Sequence, residues 1–561
     1  MAIRWKTVAC WIFFGWFLVS GVLGGNAFAA AEDLDGRFSE HEYRGHLEFL
    51  AGDLLEGRAT ADRGAALAAA YIAAQFKSLG LQPCSGEYGY LQPVQLKGFR
   101  TDYETVRFAL NRGKDECPIE ALAEFCVTSE VMAEEISADD ELLFVGYAIE
   151  APEYKWDDFK GQSVEGKIIV ALVNDPDFKA TRFGGESLTY YGRWTYKLEM
   201  ARRRKAKGIM LIHHEREATY DWSVVRNSWL GERFTFADLK DAPLQIFSWI
   251  AHGAFERALQ GTGLDYATLK KKADSRRFKP MVLPLRLKAS FRQKARRADC
   301  HNVIGVIPGS DPLLKDEFVL FTGHFDHFGI GLPDETGDRI YNGALDNASG
   351  TAALICLARA FAQSPVKPRR TVAVMGVTGE EMGLLGSTWF VEHPPFDLKQ
   401  IAMVINKDCM NHFGRCDSFS AFPVEYGSAL ADVQEIAGAR GFTLRTRAVD
   451  TEGGSFRSDH FPFAARGVPA MSVGMGGKFL DRSEDEIREV RRKIGFTYHQ
   501  AGDNVHPLWV YDGVLQELDL LYALGRHWAD GAAKPTLTID RNNPFWATQV
   551  WYGLAKQANS R

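Results

Sequence analysis

Phe318-Val319-Leu320-Phe321-Thr322-Gly323-His324-Phe325-Asp326 and Thr371-Val372-Ala373-Val374-Met375-Gly376-Val377-Thr378-Gly379-Glu380-Glu381 share one pattern: an apolar, partly β-branched run that ends in metal-type side chains. Val303 to Ile307, Ile401 to Ile405 and Ala470 to Val473 are runs of the same kind. Between them, Gly350 to Phe361 and Gly383 to Val391 have the length and composition of helices. Continuous apolar strands alternating with helices predict an α/β fold, with a mixed, mostly parallel sheet sandwiched by helices. In such sheets function gathers at the carboxyl ends of the strands. His324, Glu380, Glu381 and Asp408 all fall there, Asp346 precedes the helix near Gly350, and His499 arrives much later in the chain.

The chain has 561 residues, 46% hydrophobic and 25% charged, which predicts more than one domain around a large core. Its formal net charge of -6 is spread along the length. Arg202-Arg203-Arg204-Lys205 is the only long basic run and reads as a solvated helix face, so nucleic acid is not an expected partner. Residues 1–29 read as a cleaved signal peptide. Arg4 and Lys6 precede an apolar stretch from Val8 to Leu23, followed by Ala27-Phe28-Ala29. That stretch is shorter than the ~20 residues a bilayer core needs, so no membrane anchor is expected after cleavage. The expected location is therefore periplasmic or extracellular. Seven cysteines follow the signal, with Cys117/Cys126 and Cys409/Cys416 close enough to be candidate bridges.

After the signal, two helices are expected. The first starts at a capping box of Ser39 and Glu42, and the second runs from Ala65 to Leu79 and stops at Gly80. From 131 to 289 short strands broken by glycine and proline suggest an inserted β-rich domain. It is flanked by the two parts of the main domain, 30–130 and 290–530. Within the insert, Tyr190 to Tyr196 is dense in aromatics and charge. Residues 531–561 read as a strap on the surface.

Two histidines and three carboxylates suit a pair of divalent ions, with one carboxylate shared. Asp346, set among small residues in Gly343-Ala344-Leu345-Asp346-Asn347-Ala348-Ser349-Gly350, is best placed to present its two oxygens to two ions. Adjacent side chains diverge at a strand-to-helix turn, so Glu381 is expected to ligate while Glu380 acts as general base. A metal lowers the pKa of water to about 7, within reach of such a carboxylate. Asp326, two residues beyond His324, is expected to hold the other ring N–H of that histidine with its carboxylate, and His327 to face away from the site. Tyr498 is a candidate donor to a developing oxyanion.

The segments Gly323-His324-Phe325-Asp326-His327, Gly343 to Gly350, Gly379-Glu380-Glu381-Met382-Gly383-Leu384-Leu385-Gly386-Ser387 and Tyr498-His499 resemble the di-zinc aminopeptidases of peptidase family M28. His46 to Leu50, Gly57-Arg58 and Gly80 to Pro83 resemble the N-terminal helices of that family. The resemblance implies the zinc-dependent exopeptidase (phosphorylase/hydrolase-like) fold and two Zn2+ per chain, other divalent metals being alternatives. One ion would lie on His324, Asp346 and Asp408, the other on Asp346, Glu381 and His499, with Glu380 as base. It also implies that the peptide after Asp346 is often cis. The insert resembles a protease-associated (PA) domain, notably at Phe144 to Tyr147, Asp157 to Phe159 and Gly166-Lys167. In relatives this domain covers the active site, so Tyr191 to Lys197 could reach it. Ser458 to Phe463 resembles a segment near the site, and Asp503 is a candidate support for His499 or a turn cap.

The expected function is a secreted or periplasmic aminopeptidase acting on peptides. Alternatives of the same fold are a carboxypeptidase, for which Arg193, Arg457 and Arg466 are candidate carboxylate binders, a receptor-like protein without catalysis, and a glutaminyl-cyclase-like relative. Other protease chemistries do not fit. His41 and His46 are five residues apart, about 140° around a helix, and no G-x-S-x-G turn is present.

Overall fold

The computed structural model describes residues 37–176, 183, 185–446, 449–495, 497–531, 533–538 and 545–551. The expected signal peptide lies outside them. Among the described residues no helix is long and apolar enough to cross a membrane.

Phe318–His324 is the strand on which the α/β half is organised. Thr371–Val377 and Ile401–Lys407 run parallel to it on either side, and Ala470–Phe479 is parallel to the latter. Every residue of Thr371–Val377 and of Ile401–Lys407 is buried, as expected of strands covered on both faces. One face packs against the helices Glu40–Leu50, Arg63–Ser78, Ser349–Ala362 and Asp512–Asp530, and the other against Leu385–Glu392 and His460–Ala465. The sheet is thus the mixed, mostly parallel α/β sheet that the alternation of runs predicts. Register sets the site: His324 pairs with Val377 and Thr322 with Asn406, so three neighbouring strands end nearly level and release their next residues at one edge.

Two long strands carry the chain between this half and the 131–289 segment. Leu91–Asn111 and Met281–Ile307 pair antiparallel from Val303↔Leu91 to Arg286↔Asn111, with one irregularity between Ser290 and Arg292. At one end Met281–Ile307 pairs with Thr371–Val377, and at the other with Glu135–Phe144. The sheet then continues through Ile168–Leu172, Gly208–His213, Ile246–Ala251 and Phe125–Thr128. Pairing with Glu135–Phe144 runs on through residue 290, and Phe125–Thr128, before residue 131, pairs with Ile246–Ala251.

Several local expectations change. Ser39 is the N-cap of Glu40–Leu50 but accepts no side-chain cap bond, because Glu42 instead pairs with Arg359 on the Ser349–Ala362 helix. The second helix spans Arg63–Ser78, with Gly80 at φ +77 just beyond it. The basic run is not a free solvated face: Arg202 pairs with Glu130, and Arg204 pairs with Glu150 and lies over the Phe159 ring. The cysteines from Cys84 to Cys416 are free thiols, so neither candidate bridge forms. In the C-terminal segment Leu537 bridges to Gly427, and buried Phe545 packs on Phe456 and Phe461.

Arg58 is the clasp between the N-terminal helices and the site loops. Fully buried, it donates to the carbonyls of Phe325, Leu50, Asn342 and Gly343 at 2.5 to 2.9 Å. Arg58→Met would strand these acceptors and is expected to lower stability by roughly 3 kcal/mol or more, measured by urea unfolding.

Candidate active site

His324 is the last residue of its strand, and Asp408 directly follows Ile401–Lys407. Thr378 and Gly379 separate Val377 from Glu380 and Glu381. Asp346 sits in an irregular turn before the Ser349–Ala362 helix, and its peptide bond to Asn347 is cis. Glycines allow this turn to close on its neighbours. Gly343 adopts φ +52, and a Cβ at Gly350 would meet the Asn347 side-chain oxygen Oδ1 at 2.2 Å.

These residues converge. His324 Nε2 lies 3.3 Å from Asp346 Oδ1 and 3.5 Å from Asp408 Oδ1. His499 Nε2 lies 3.5 Å from Asp346 Oδ2 and 3.2 Å from Glu381 Oε2. The two oxygens of Asp346 therefore face two different histidines. His324 Nε2 is buried and makes no hydrogen bond despite these neighbours. Two donor atoms on a tetrahedral ion with bonds of about 2.1 Å stand about 3.4 Å apart, which is the spacing observed around both imidazoles. The donors fit two divalent cations: His324/Asp346/Asp408 could hold one, and Asp346 and Glu381 with His327 or His499 the other. Glu380, 9% exposed, approaches His324 Nε2 at 4.0 Å. Burial, reinforced by Glu381 and Asp408, lifts its pKa well above the usual carboxylate range. Burial alone would depress the His499 pKa, yet Glu381 and Asp346 hold it up at about 9, a measure of how strongly the site favours positive charge.

The supports differ from expectation. His324 Nδ1 meets the backbone carbonyl of Asp326 at 3.2 Å, whereas the Asp326 carboxylate is 3.9 Å away. That carboxylate accepts the Thr60 hydroxyl at 2.8 Å and the Glu380 N–H at 3.1 Å, so it positions Glu380 instead. His327 does not face away: buried, it places Nδ1 2.7 Å from Glu381 Oε1. Both expectations assumed that the extended strand continues past His324. It ends there, and His327 forms an isolated bridge with Ala59. Asp503 supports neither His499 nor a local turn alone; its oxygens accept the N–H groups of Leu345 and Asp346 at 2.9 and 3.0 Å. Ser458 donates to Asp408 Oδ2 at 2.9 Å, and Asn347 ties its turn to Lys407 and Cys409. The sequence singled out Asp326, Asp503 and Ser458 but not these partnerships, and gave no sign of Thr60, since each lies far in sequence from the group it holds.

The 131–289 segment also reaches the site. In its helix Trp222–Leu230, Asn227 donates to the His499 carbonyl at 2.9 Å, and Ser228 Oγ lies 3.0 Å from His499 Nδ1. Ser228 Oγ donates to the Val224 carbonyl at 2.6 Å, which leaves it to accept from Nδ1–H and leaves Nε2 aimed at Asp346 and Glu381. A cavity of about 240 Å³ lies between this segment and Glu380, Glu381 and His499. Arg193, Trp194 and Thr195 line it, while Tyr191 and Tyr196 pack into a buried aromatic cluster. The Tyr190 to Tyr196 stretch therefore serves both roles, on different faces. Tyr498, 43% exposed, lines the cavity and stacks on His499 with ring centroids 3.8 Å apart.

Two histidines and four carboxylates thus gather at the carboxyl edge of a mostly parallel sheet. Residues 302–511 match the model of peptidase family M28. A glutamate carboxypeptidase 2 homolog of Caenorhabditis elegans is 28% identical over 270 residues, 44% of this chain and 31% of that protein. A probable zinc metalloprotease of Pyrenophora teres f. teres is 35% identical over 110 residues, 20% of this chain and 22% of that protein. The chain thus matches under a third of the length of these relatives. Among solved structures, the aminopeptidase from Aneurinibacillus sp. strain AM-1 shares the fold with a TM-score of 0.52 and 16% identity, over 90% of this chain and 97% of that one.

Ser228→Ala is expected to weaken divalent-cation binding at the His499 side by about tenfold, leaving the His324 side unchanged, as read by competition with a chromophoric chelator.

Proposed function

We propose that this chain is an exported exopeptidase, an aminopeptidase, that holds two zinc ions and uses Glu380 as general base. The observation that carries this reading is Asp346, whose two oxygens separately face His324 and His499 with Glu380 alongside. In this reading His324, Asp346 and Asp408 hold one ion, and Asp346, Glu381 and His499 the other. Bound there, the ions would polarise the substrate carbonyl and acidify water. The residues supply the rest. Glu380, pinned at its backbone by Asp326, takes a proton from the attacking water and returns it to the leaving amine. Tyr498, at the cavity wall, donates toward the developing oxyanion. The 131–289 segment, read as a protease-associated domain, closes one side of the cavity and keeps His499 in its working tautomer. The signal-like N-terminus supports export.

The carboxypeptidase reading has one observation in its favour. Of its three candidate arginines, Arg466 is taken up by Glu392 at 3.1 Å, but Arg193 and Arg457 line the cavity.

Metal analysis is expected to give about two equivalents per chain, and one or none would remove the bridging role of Asp346. Glu380→Gln should keep that content while turnover falls by roughly 10²–10⁴; a rate near wild type would reject Glu380 as base. Loss of activity on acetylating the peptide N-terminus would support an aminopeptidase, whereas loss on amidating the C-terminus would support a carboxypeptidase.

A further inference from the structure

Helix Glu40–Leu50 packs on helix Ser349–Ala362, and no residue of either lines the cavity. Three side chains with metal-ligating atoms meet between these helices. Glu42 and His46 stand four residues apart, on one face of the first helix, and Cys356 comes from the second. One ligand atom from each lies within 4.8 Å of the other two. The chemistry at the cavity leaves this group unused.

Each donor is prepared for a cation. Cys356 is buried, and burial, followed by the Glu42 carboxylate, pushes its thiol pKa up, so the sulfur stays protonated until a cation displaces the proton. Burial pulls the His46 pKa down against the attraction of Glu42, which keeps the imidazole neutral at neutral pH, the form that ligates. The Tyr71 hydroxyl lies 2.9 Å from His46 Nδ1, and an imidazole held at one nitrogen keeps the other as a ligand atom. Arg359 takes Oε1 of Glu42 at 2.5 Å, and a carboxylate offers a second oxygen. Thiolate, imidazole and one carboxylate suit zinc and its chemical neighbours, whereas magnesium and calcium require an all-oxygen shell.

We propose that Glu42, His46 and Cys356 form a divalent-cation site of the zinc class, separate from the cavity, that ties the N-terminal helix to Ser349–Ala362. Binding releases one proton, from the Cys356 thiol to solvent, and changes no oxidation state. Three protein donors leave one position of a tetrahedral ion to water. The Arg359 cation opposes a further positive charge, so this ion is exchangeable and adds to those retained at the cavity only as free zinc rises. Its effect reaches the Asp346 turn through the helices it joins. Tyr43, next to Glu42, donates to the Ser349 carbonyl at 3.2 Å, while Ser349 Oγ donates to the Leu345 carbonyl at 2.7 Å and accepts the Met410 N–H at 3.0 Å.

Cobalt(II) titrated into the zinc-loaded full chain tests the site, because a cobalt–thiolate bond gives a charge-transfer band in the near ultraviolet that imidazole and carboxylate donors do not. About one equivalent is expected to saturate that band. Cys356→Ser should abolish it, and Cys409→Ser, which removes the thiol 3.4 Å from Asp408, should leave it intact. Glu42→Gln and His46→Gln keep the Cys356 thiol and should each weaken cobalt binding by about tenfold or more. Added zinc should bleach the band and raise the thermal unfolding midpoint of the parent chain but not of Cys356→Ser. No band at saturating cobalt, or a band that survives in Cys356→Ser, overturns the site. If Cys356→Ser does not fold, the other two variants decide: weakened binding in both supports the site, and parent-like affinity in either overturns it.

Discussion

Electrostatic repulsion among Asp346, Glu380, Glu381 and Asp408 is the constraint around which this molecule is arranged. All four converge on two imidazoles at the edge of a buried sheet, where low dielectric strengthens their mutual repulsion. Lys407, adjacent to Asp408, does not relieve it, because its Nζ is committed to Glu517 at 2.7 Å and to the Val473 carbonyl. The remedy within the protein is positional. Each residue is held by its own partner: Asp346 and Glu380 donate their backbone N–H groups to Asp503 and Asp326, while the carboxylates of Glu381 and Asp408 meet His327 and Ser458. Such a frame keeps the charges apart by a spacing that suits divalent cations.

That frame explains why the two halves of the chain belong to one site. The long strands Leu91–Asn111 and Met281–Ile307 bring the 131–289 segment beside the carboxyl edge of the catalytic sheet. Its helix Trp222–Leu230 then sets the orientation of His499, and Arg193 helps to line the cavity above the carboxylates. Arg193 and Arg457 line that cavity together with Glu380 and Glu381.

Much of the catalytic half is legible in the chain. Apolar runs without alternation require strands covered on both faces, and the strands at Phe318, Thr371, Ile401 and Ala470 follow from that requirement alone. Metal-type residues after those runs must then emerge at one edge, because parallel strands share their carboxyl ends. His324, Asp346, Glu380, Glu381, Asp408 and His499 come together accordingly. The errors arose where regular backbone stops. Period-two reasoning beyond His324 gave Asp326 and His327 the wrong directions, since the strand ends at His324 and the next residues follow a turn held by Arg58. The Ser39 capping box failed for a similar reason: Glu42 finds a long-range partner in Arg359 that local pattern does not contain.

The order of apolar runs and metal-type residues by itself determined the sheet, its direction and the edge at which chemistry gathers, because those depend on periodicity and burial along the chain. Tertiary structure alone decided which groups hold the donors in place and what lines the cavity. Ser228 and His499 are 271 residues apart, Thr60 and Asp326 266, and Arg193 and Arg457 line one cavity from the two halves. Hydrogen bonds and Coulomb forces act over a few ångströms regardless of separation along the chain, so these pairings exist only once the fold has closed.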